Sequence, residues 1–150
     1  MTAKLSLLPR AMPEKREQNA GSGRYIAIVD DEGSVRRALA RLLRAYSFQA
    51  QTYGSGSEFL DSLRTSVPAC LIVDVQMDDI TGFDVLRRLA DMGLRIPAVV
   101  LTARDEPDVR RDSKLCGAAA LLIKPVGVDS LLKAIENAMN RPTGRDAKGQ

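Results

Sequence analysis

Apolar and polar residues alternate along the chain with two periods, and these predict strands and helices in regular succession. Short apolar or alternating stretches predict five strands, at residues 24–29, 48–53, 69–75, 97–103 and 119–123. Apolar residues spaced three or four apart predict helices over 33–45, from Ser55 or Ser57 as the cap through Leu63, and over 82–92, 106–116 and 128–139. Repeated strand–helix units predict an α/β fold, a doubly wound parallel sheet with helices on both faces.

The fourth predicted helix has the weakest amphipathic pattern. In this stretch Arg111 and Lys114 stand where an amphipathic helix would carry apolar residues. We therefore expect the fourth helix to be the most mobile element of the fold.

The two ends of the chain lack any sustained periodicity. Residues 1–23 are rich in Pro, Gly, Ser, Lys and Glu, and residues 141–150 have a similar composition. We therefore predict a flexible N-terminal arm over 1–23, one folded domain over 24–140, and a flexible C-terminal tail over 141–150.

Charged and hydroxyl side chains stand where four of the predicted strands end. Asp30 and Asp31 follow the first strand, Asp74 the third, Thr102 the fourth and Lys124 the fifth. The carboxyl ends of parallel strands meet at one edge of a sheet, where functional sites of such folds lie. Three carboxylates, a hydroxyl and an ammonium should therefore lie together.

Three adjacent carboxylates repel one another unless a cation compensates them. Carboxylate oxygens are the ligands that Mg²⁺ or Mn²⁺ prefers, and Mg²⁺ commonly also takes oxygen from a phosphate. One carboxylate could then attack phosphorus to form an aspartyl phosphate. Lys124 would neutralise charge on the phosphoryl group, and Thr102 could donate a hydrogen bond to it.

Composition excludes several other kinds of chemistry. The 150 residues include no histidine, which removes histidine-based catalysis and most transition-metal sites. Cys70 and Cys116 lack metal-ligand spacing, and we interpret both as buried thiols. No apolar run is long enough to span a bilayer or to form a signal-peptide core, so we expect a cytoplasmic protein without a membrane partner.

The net charge of +3 is concentrated at the ends of the chain. Residues 1–23 and residues 141–150 each carry a net charge of +2, which leaves −1 on residues 24–140. The folded part therefore has no basic character that would indicate direct binding of nucleic acid.

With these features together, the sequence resembles the receiver domain of bacterial two-component response regulators. The resemblance rests on short motifs in order: VDDE at 29–32, LIVDVQM…TG at 71–82, PAVVLTA at 97–103, GA at 117–118 and KP at 124–125. It covers residues 24–140, and the spacing of the motif residues resembles that of the nitrogen-fixation-regulator subgroup. It implies a flavodoxin-like sheet with strand order 2-1-3-4-5 and five helices.

The resemblance also implies a role for each site residue. Asp74 would be the phospho-acceptor, Asp30 and Asp31 would bind Mg²⁺ together with Asp74, and the backbone carbonyl of Gln76 would complete the protein ligands. Thr102 would be the switch hydroxyl and Lys124 would pair with the phosphoryl group. The bond between Lys124 and Pro125, the last of the switch positions, would be cis.

A receiver domain also implies partners. A histidine kinase or a histidine phosphotransfer protein would donate the phosphoryl group, because this chain has no histidine of its own. The chain would not be an enzyme beyond its own phosphorylation and slow autodephosphorylation. Phosphorylation would alter the surface of the fourth helix, fifth strand and fifth helix, which could bind a downstream protein or form a homodimer.

Three positions depart from the family pattern. Leu121 stands where an aromatic switch residue is common, so the aromatic part of the switch is in question. The loop Met77–Asp78–Asp79 lacks the usual proline and adds two acids, which either raise cation affinity or are solvated. Ile123 replaces a common polar residue, which leaves open a partner contact or ordinary packing.

Other interpretations of these residues remain open. Asp30 and Asp31 could form an exposed helix cap, Asp74 a turn, Thr102 a cap, and Lys124 a solvated side chain. We interpret Arg36 and Arg37 as a solvated helix face, with kinase docking as the alternative.

The function likewise has alternatives. An aspartyl-phosphatase-type enzyme uses similar residues, but it usually begins from Asp-x-Asp and carries a cap domain. The chain could also be a receiver-like interaction module that is not phosphorylated, or the receiver fragment of a longer transcription regulator.

Overall fold

A computed structural model of the protein describes residues 24–140. The predicted arm, 1–23, and tail, 141–150, lie outside the described residues. Five strands and five helices alternate within them: β1 (Ile26–Val29), α1 (Gly33–Ala45), β2 (Ala50–Tyr53), α2 (Gly56–Ser62), β3 (Cys70–Asp74), α3 (Gly82–Asp91), β4 (Ala98–Thr102), α4 (Pro107–Leu115), β5 (Ala120–Ile123) and α5 (Val128–Asn140). All ten predicted elements are present, and their ends differ from the predictions by at most two residues.

The strands form one parallel sheet in the order β2-β1-β3-β4-β5. The predicted flavodoxin-like topology is therefore confirmed. β1, β3 and β4 lie inside the sheet, and all their residues are buried. β5 is an edge strand, and each of its residues is partly buried.

Successive side chains of the central strands point to opposite faces of the sheet. Ala27 and Val29 of β1 pack in one core with residues of α2 and α3, against which Val109 of α4 also packs. Ile26 and Ile28 pack in a second core with residues of α1 and α5. Because both faces of the sheet are covered, the sequences of the central strands β1, β3 and β4 are almost continuously apolar rather than alternating between apolar and polar residues.

Side chains cap two of the helices at their N-termini. Ser55 is the cap of α2, and its hydroxyl accepts a hydrogen bond from the backbone N–H of Glu58. This settles the choice between Ser55 and Ser57. Thr81 and Asp84 form a reciprocal capping box, which fixes the start of α3.

Helix α4 forms as predicted, but its inward face differs from our expectation. Arg111 and Lys114 are exposed, and Arg111 pairs with Asp108 at 3.1 Å. Val109 and Ser113 face the sheet instead. The two basic residues therefore do not interrupt the packed face, but that face carries little apolar surface.

The two cysteines differ in burial. Cys70 is fully buried in β3, whereas Cys116 after α4 is only partly buried, so the prediction of two buried thiols is correct for Cys70 alone. Both are free thiols. Burial raises the pKa of the Cys70 thiol to about 12, and burial also raises the pKa of Cys116.

No helix within residues 24–140 is long and apolar enough to cross a membrane.

The raised pKa of Cys70 predicts a loss of stability at alkaline pH. The unfolded chain loses the thiol proton near pH 8.5–9, whereas the folded protein keeps it up to about pH 12. Raising the pH through this window therefore favours the unfolded state, by about 1.5–2 kcal/mol at pH ~10. Urea unfolding near pH 7 and pH 10 should show this extra loss in the wild type but not in Cys70→Ala. Equal losses in the two proteins would contradict the burial of a protonated thiol.

Candidate functional site

The carboxyl ends of four strands bring the predicted site residues to one edge of the sheet. Val29 pairs with Val73, so the residues that follow β1 lie beside Asp74, the last residue of β3. Thr102 pairs with Ile123, which places Thr102 next to the residue before Lys124. The Lys124 backbone N–H also donates to the Thr102 carbonyl at 2.7 Å.

Three carboxylates form a cluster at this edge. Asp30, Asp31 and Asp74 each offer an oxygen, and these oxygens lie within 4.8 Å of one another. Asp30 is 1% exposed and Asp74 is 6% exposed, whereas Asp31 faces solvent. Two buried acids side by side require compensating charge.

Lys124 supplies that compensation. Its Nζ lies 2.9 Å from Oδ1 of Asp74 and 3.2 Å from Oδ2 of Asp30. The ammonium therefore bridges the two buried carboxylates. Lys124 is therefore not a solvated side chain, and Asp74 is the last residue of β3 rather than a turn residue.

Burial and charge act in opposite directions on these groups. Burial raises the pKa of Asp74, and the carboxylates of Asp30 and Asp31 add to that rise, against the lowering effect of Lys124. For Lys124, burial alone would lower the pKa, but the hydrogen bond and charge of Asp74 and the charge of Asp30 raise it overall. Two neighbouring carboxylates therefore stabilise the protonated form of Lys124, whereas two like-charged neighbours destabilise the ionised form of Asp74.

Both the side chain and the backbone of Asp30 accept hydrogen bonds from residues at the start of α1 or just before it. Oδ1 of Asp30 accepts a hydrogen bond from the Glu32 backbone N–H at 2.9 Å. The Asp30 carbonyl accepts one from Nη1 of Arg36 at 2.7 Å. The cap position of α1 is Glu32, so neither aspartate is the cap.

Our interpretation of Arg36 as a solvated side chain is wrong, because it reaches back to the Asp30 carbonyl. Arg37 is exposed, as predicted.

The loop after β3 closes the site beside Asp31. The Asp78 backbone N–H donates to Oδ2 of Asp31 at 3.1 Å, which brings the Gln76–Asp78 segment to the edge of the cluster. Gln76 is exposed, and the role of its carbonyl as a ligand stays a prediction.

The donor set fits a small, hard divalent cation. Carboxylate oxygens from three residues converge, and one of the three faces solvent, where water could complete the coordination. Mg²⁺ and Mn²⁺ prefer such oxygen ligands, and Mg²⁺ usually keeps several waters.

Comparison with known proteins identifies the family to which this geometry belongs. Residues 26–136 match the family described as "Response regulator receiver domain". This chain belongs to that family. The narrower nitrogen-fixation-regulator subgroup stays a prediction.

Individual relatives agree with this assignment. The response regulator protein TmoT of Ectopseudomonas mendocina is 32% identical over 114 residues, which cover 76% of this chain and 52% of TmoT. The solved structure named FixJ-N is 29% identical with a TM-score of 0.74, over 79% of this chain and 95% of that one. A receiver protein from Burkholderia phymatum is 38% identical with a TM-score of 0.70, over 80% and 98%. The chain spans about half the length of the curated relatives it matches.

The predicted switch residues of the receiver lie around the cluster without joining it. Thr102 is fully buried, and its hydroxyl is engaged with the Arg104 backbone, accepting from the N–H at 3.1 Å. It does not cap α4, whose cap position is Glu106. The bond between Lys124 and Pro125 is cis, as the resemblance implied.

The structure shows the contacts of two residues that depart from the receiver pattern, Leu121 and Asp79. Leu121 is partly buried and packs against the core on the α4 side of the sheet. Asp79 accepts hydrogen bonds from the backbone N–H groups of Ser57 at 3.0 Å and Ile80 at 2.7 Å. Although slight burial opposes it, these bonds and the Ser57 side chain lower the pKa of Asp79. Asp79 therefore links the loop to α2 rather than joining the carboxylate cluster.

Gly82 is a structural requirement of the site that the sequence analysis did not assign. At this first residue of α3, an added Cβ would overlap the backbone carbonyl oxygen of Asp74. The Gly82 N–H also donates to the Val75 carbonyl at 2.9 Å. Only glycine allows α3 to approach the end of β3 this closely.

Gly82→Ala should therefore destabilise the receiver. The methyl group forces α3 away from the end of β3, which should cost about 1–3 kcal/mol in the free energy of unfolding. Gly33→Ala is the matched control, because the nearest atoms that its Cβ would meet are the ends of the flexible Arg37 and Arg36 side chains, at 3.0 Å and 3.5 Å. Urea unfolding of both variants measures the difference. If Gly82→Ala were no less stable than Gly33→Ala, the close approach would not be required.

Proposed function

We propose that Asp74 accepts a phosphoryl group and that this chain is a phosphorelay switch. The observation that carries the proposal is the contact of one ammonium, Lys124, with both buried carboxylates, at 2.9 Å from Asp74 and 3.2 Å from Asp30. This arrangement keeps a buried carboxylate beside a positive charge at the edge of a sheet, where an incoming phosphoryl group can reach it.

The proposed step is a transfer of phosphorus from nitrogen to oxygen. An Asp74 carboxylate oxygen attacks the phosphorus of a phosphohistidine on a partner protein. A P–O bond forms, the P–N bond breaks, and its electron pair stays with the imidazole nitrogen. The product is an aspartyl phosphate, and Lys124 offers its N–H groups to the transferred oxygens.

Asp30, Asp31, Asp74 and the Gln76 carbonyl would hold Mg²⁺, or Mn²⁺ in its place. Such an ion supplies positive charge that offsets the carboxylates and the phosphoryl oxygens. The clustering of the three acidic side chains supports this assignment.

The switch would follow from a change of partner for Thr102. The hydroxyl, now engaged with the Arg104 backbone, would donate to a phosphoryl oxygen and draw the β4–α4 loop with it. The sparse apolar face of α4 offers little resistance to such a shift. The surface of α4, β5 and α5 would then favour a downstream protein or a second copy of this chain.

The expected partners and location follow from the family. A histidine kinase or a histidine phosphotransfer protein would donate the phosphoryl group in the cytoplasm. The chain itself would catalyse only its own phosphorylation and slow autodephosphorylation. A direct role in binding nucleic acid is not expected of residues 24–140, which carry a net charge of −1.

Intact-mass spectrometry with acetyl phosphate as the donor tests the proposal. The wild type should gain a single phosphoryl group in the presence of Mg²⁺ and none in its absence. Asp74→Asn should gain none. Asp61→Asn is the matched control, because it makes the same substitution at an exposed acid of α2 outside the cluster, and it should be phosphorylated like the wild type. An adduct on Asp74→Asn, or no adduct on the wild type even from a phosphohistidine donor, would contradict the proposal.

A further inference from the structure

We propose that Arg36 is a positioning residue for the cation site, which it serves by holding the backbone of Asp30. The inference rests on the proposed phospho-acceptor function. Arg36 touches none of the carboxylate oxygens that would bind the ion; its Nη1 donates a hydrogen bond to the Asp30 carbonyl, at 2.7 Å.

The hydrogen bond satisfies a backbone acceptor of a buried residue, directly after β1. Asp30 is 1% exposed and lies between β1 and α1, outside any regular element. Its N–H donates to the Tyr53 carbonyl at 3.2 Å, and its own carbonyl accepts from Arg36. A buried carbonyl without a donor is costly, and a charged donor gives a stronger bond than a neutral one.

The structure leaves space for the guanidinium beside the loop after β2. A Cβ added at Gly54 would lie only 3.3 Å from Nη1 of Arg36, so a side chain there would press on the guanidinium. The Gly54 N–H donates to the Glu58 carboxylate at 2.8 Å, which anchors this loop to α2. Arg36 thus lies between the end of β1 and an anchored loop.

Fixing the backbone of Asp30 also fixes its carboxylate. Oδ1 accepts from the Glu32 N–H and Oδ2 from Lys124, and both contacts depend on where the Asp30 backbone lies. Without Arg36 the carbonyl would turn toward water and move the carboxylate away from Asp31 and Asp74. Mg²⁺ demands near-ideal geometry, so such a displacement should weaken its binding.

The charge of Arg36 and its positioning role predict opposite effects on cation affinity. A nearby positive charge repels a divalent cation, so on charge alone the loss of Arg36 would strengthen Mg²⁺ binding. Loss of positioning would weaken it. The sign of the change therefore separates the two roles.

Calorimetric titration with Mg²⁺ alone measures that sign. Arg36→Gln should lower the Mg²⁺ affinity about tenfold, as typical for residues that support metal ligands. Arg36→Lys keeps the positive charge but lacks the planar guanidinium group, and this variant too should bind Mg²⁺ more weakly than the wild type. Arg37→Gln, a change at the exposed neighbouring arginine, should bind as tightly as the wild type or slightly more tightly. If Arg36→Gln bound Mg²⁺ as tightly as Arg37→Gln, the inference would be wrong.

Amide hydrogen exchange without any cation gives an independent readout. The Glu32 N–H, which donates to Asp30, should exchange several-fold faster in Arg36→Gln than in the wild type or Arg37→Gln. Unchanged exchange would overturn the positioning role. A wild type that neither binds Mg²⁺ nor accepts a phosphoryl group would contradict the proposed function. The exchange rate of the Glu32 N–H would still test whether Arg36 positions Asp30.

Discussion

The contact of the Lys124 ammonium with two buried carboxylates is the interaction on which the site depends. Asp30 and Asp74 lie at the ends of adjacent strands, where the parallel sheet forces them together, and neither is exposed enough for water to screen its charge. Lys124 reaches both from the far edge strand, with β4 between it and β3. Without a cation from the protein or from solution, this edge of the sheet would concentrate uncompensated negative charge.

Backbone contacts around the cluster hold the carboxylates where the ammonium can meet them. Gly82 lets α3 close against the carbonyl of Asp74, and Arg36 binds the carbonyl of Asp30. Asp79 joins the loop after β3 to the start of α2. The site thus combines an acid cluster with the hydroxyl of Thr102, whose hydrogen bonds are to the Arg104 backbone in the neighbouring loop.

Much of the fold and the core of the site could be predicted from the sequence, because both follow from periodicity and topology. Strand–helix alternation predicts a parallel sheet, and the sheet brings Asp30, Asp74 and Lys124 to one edge whatever the details of packing. The role of Arg36 could not be predicted, because helical periodicity does not show that a long side chain turns back past the helix start. The partners of Gly82 and Asp79 depend on close approaches between separate elements, which no local pattern encodes. The inward face of α4 was also misjudged, since Val109 and Ser113 face the sheet rather than Arg111 and Lys114.

The central claim is that these three carboxylates form one cation site beside Lys124. The most direct test is a crystal structure of the protein soaked in Mn²⁺, with the ion located by its anomalous scattering. The account predicts a single strong peak within about 2–2.3 Å of carboxylate oxygens from the Asp30, Asp31 and Asp74 cluster. A peak elsewhere on the protein, or no peak at this edge of the sheet at saturating Mn²⁺, would contradict it.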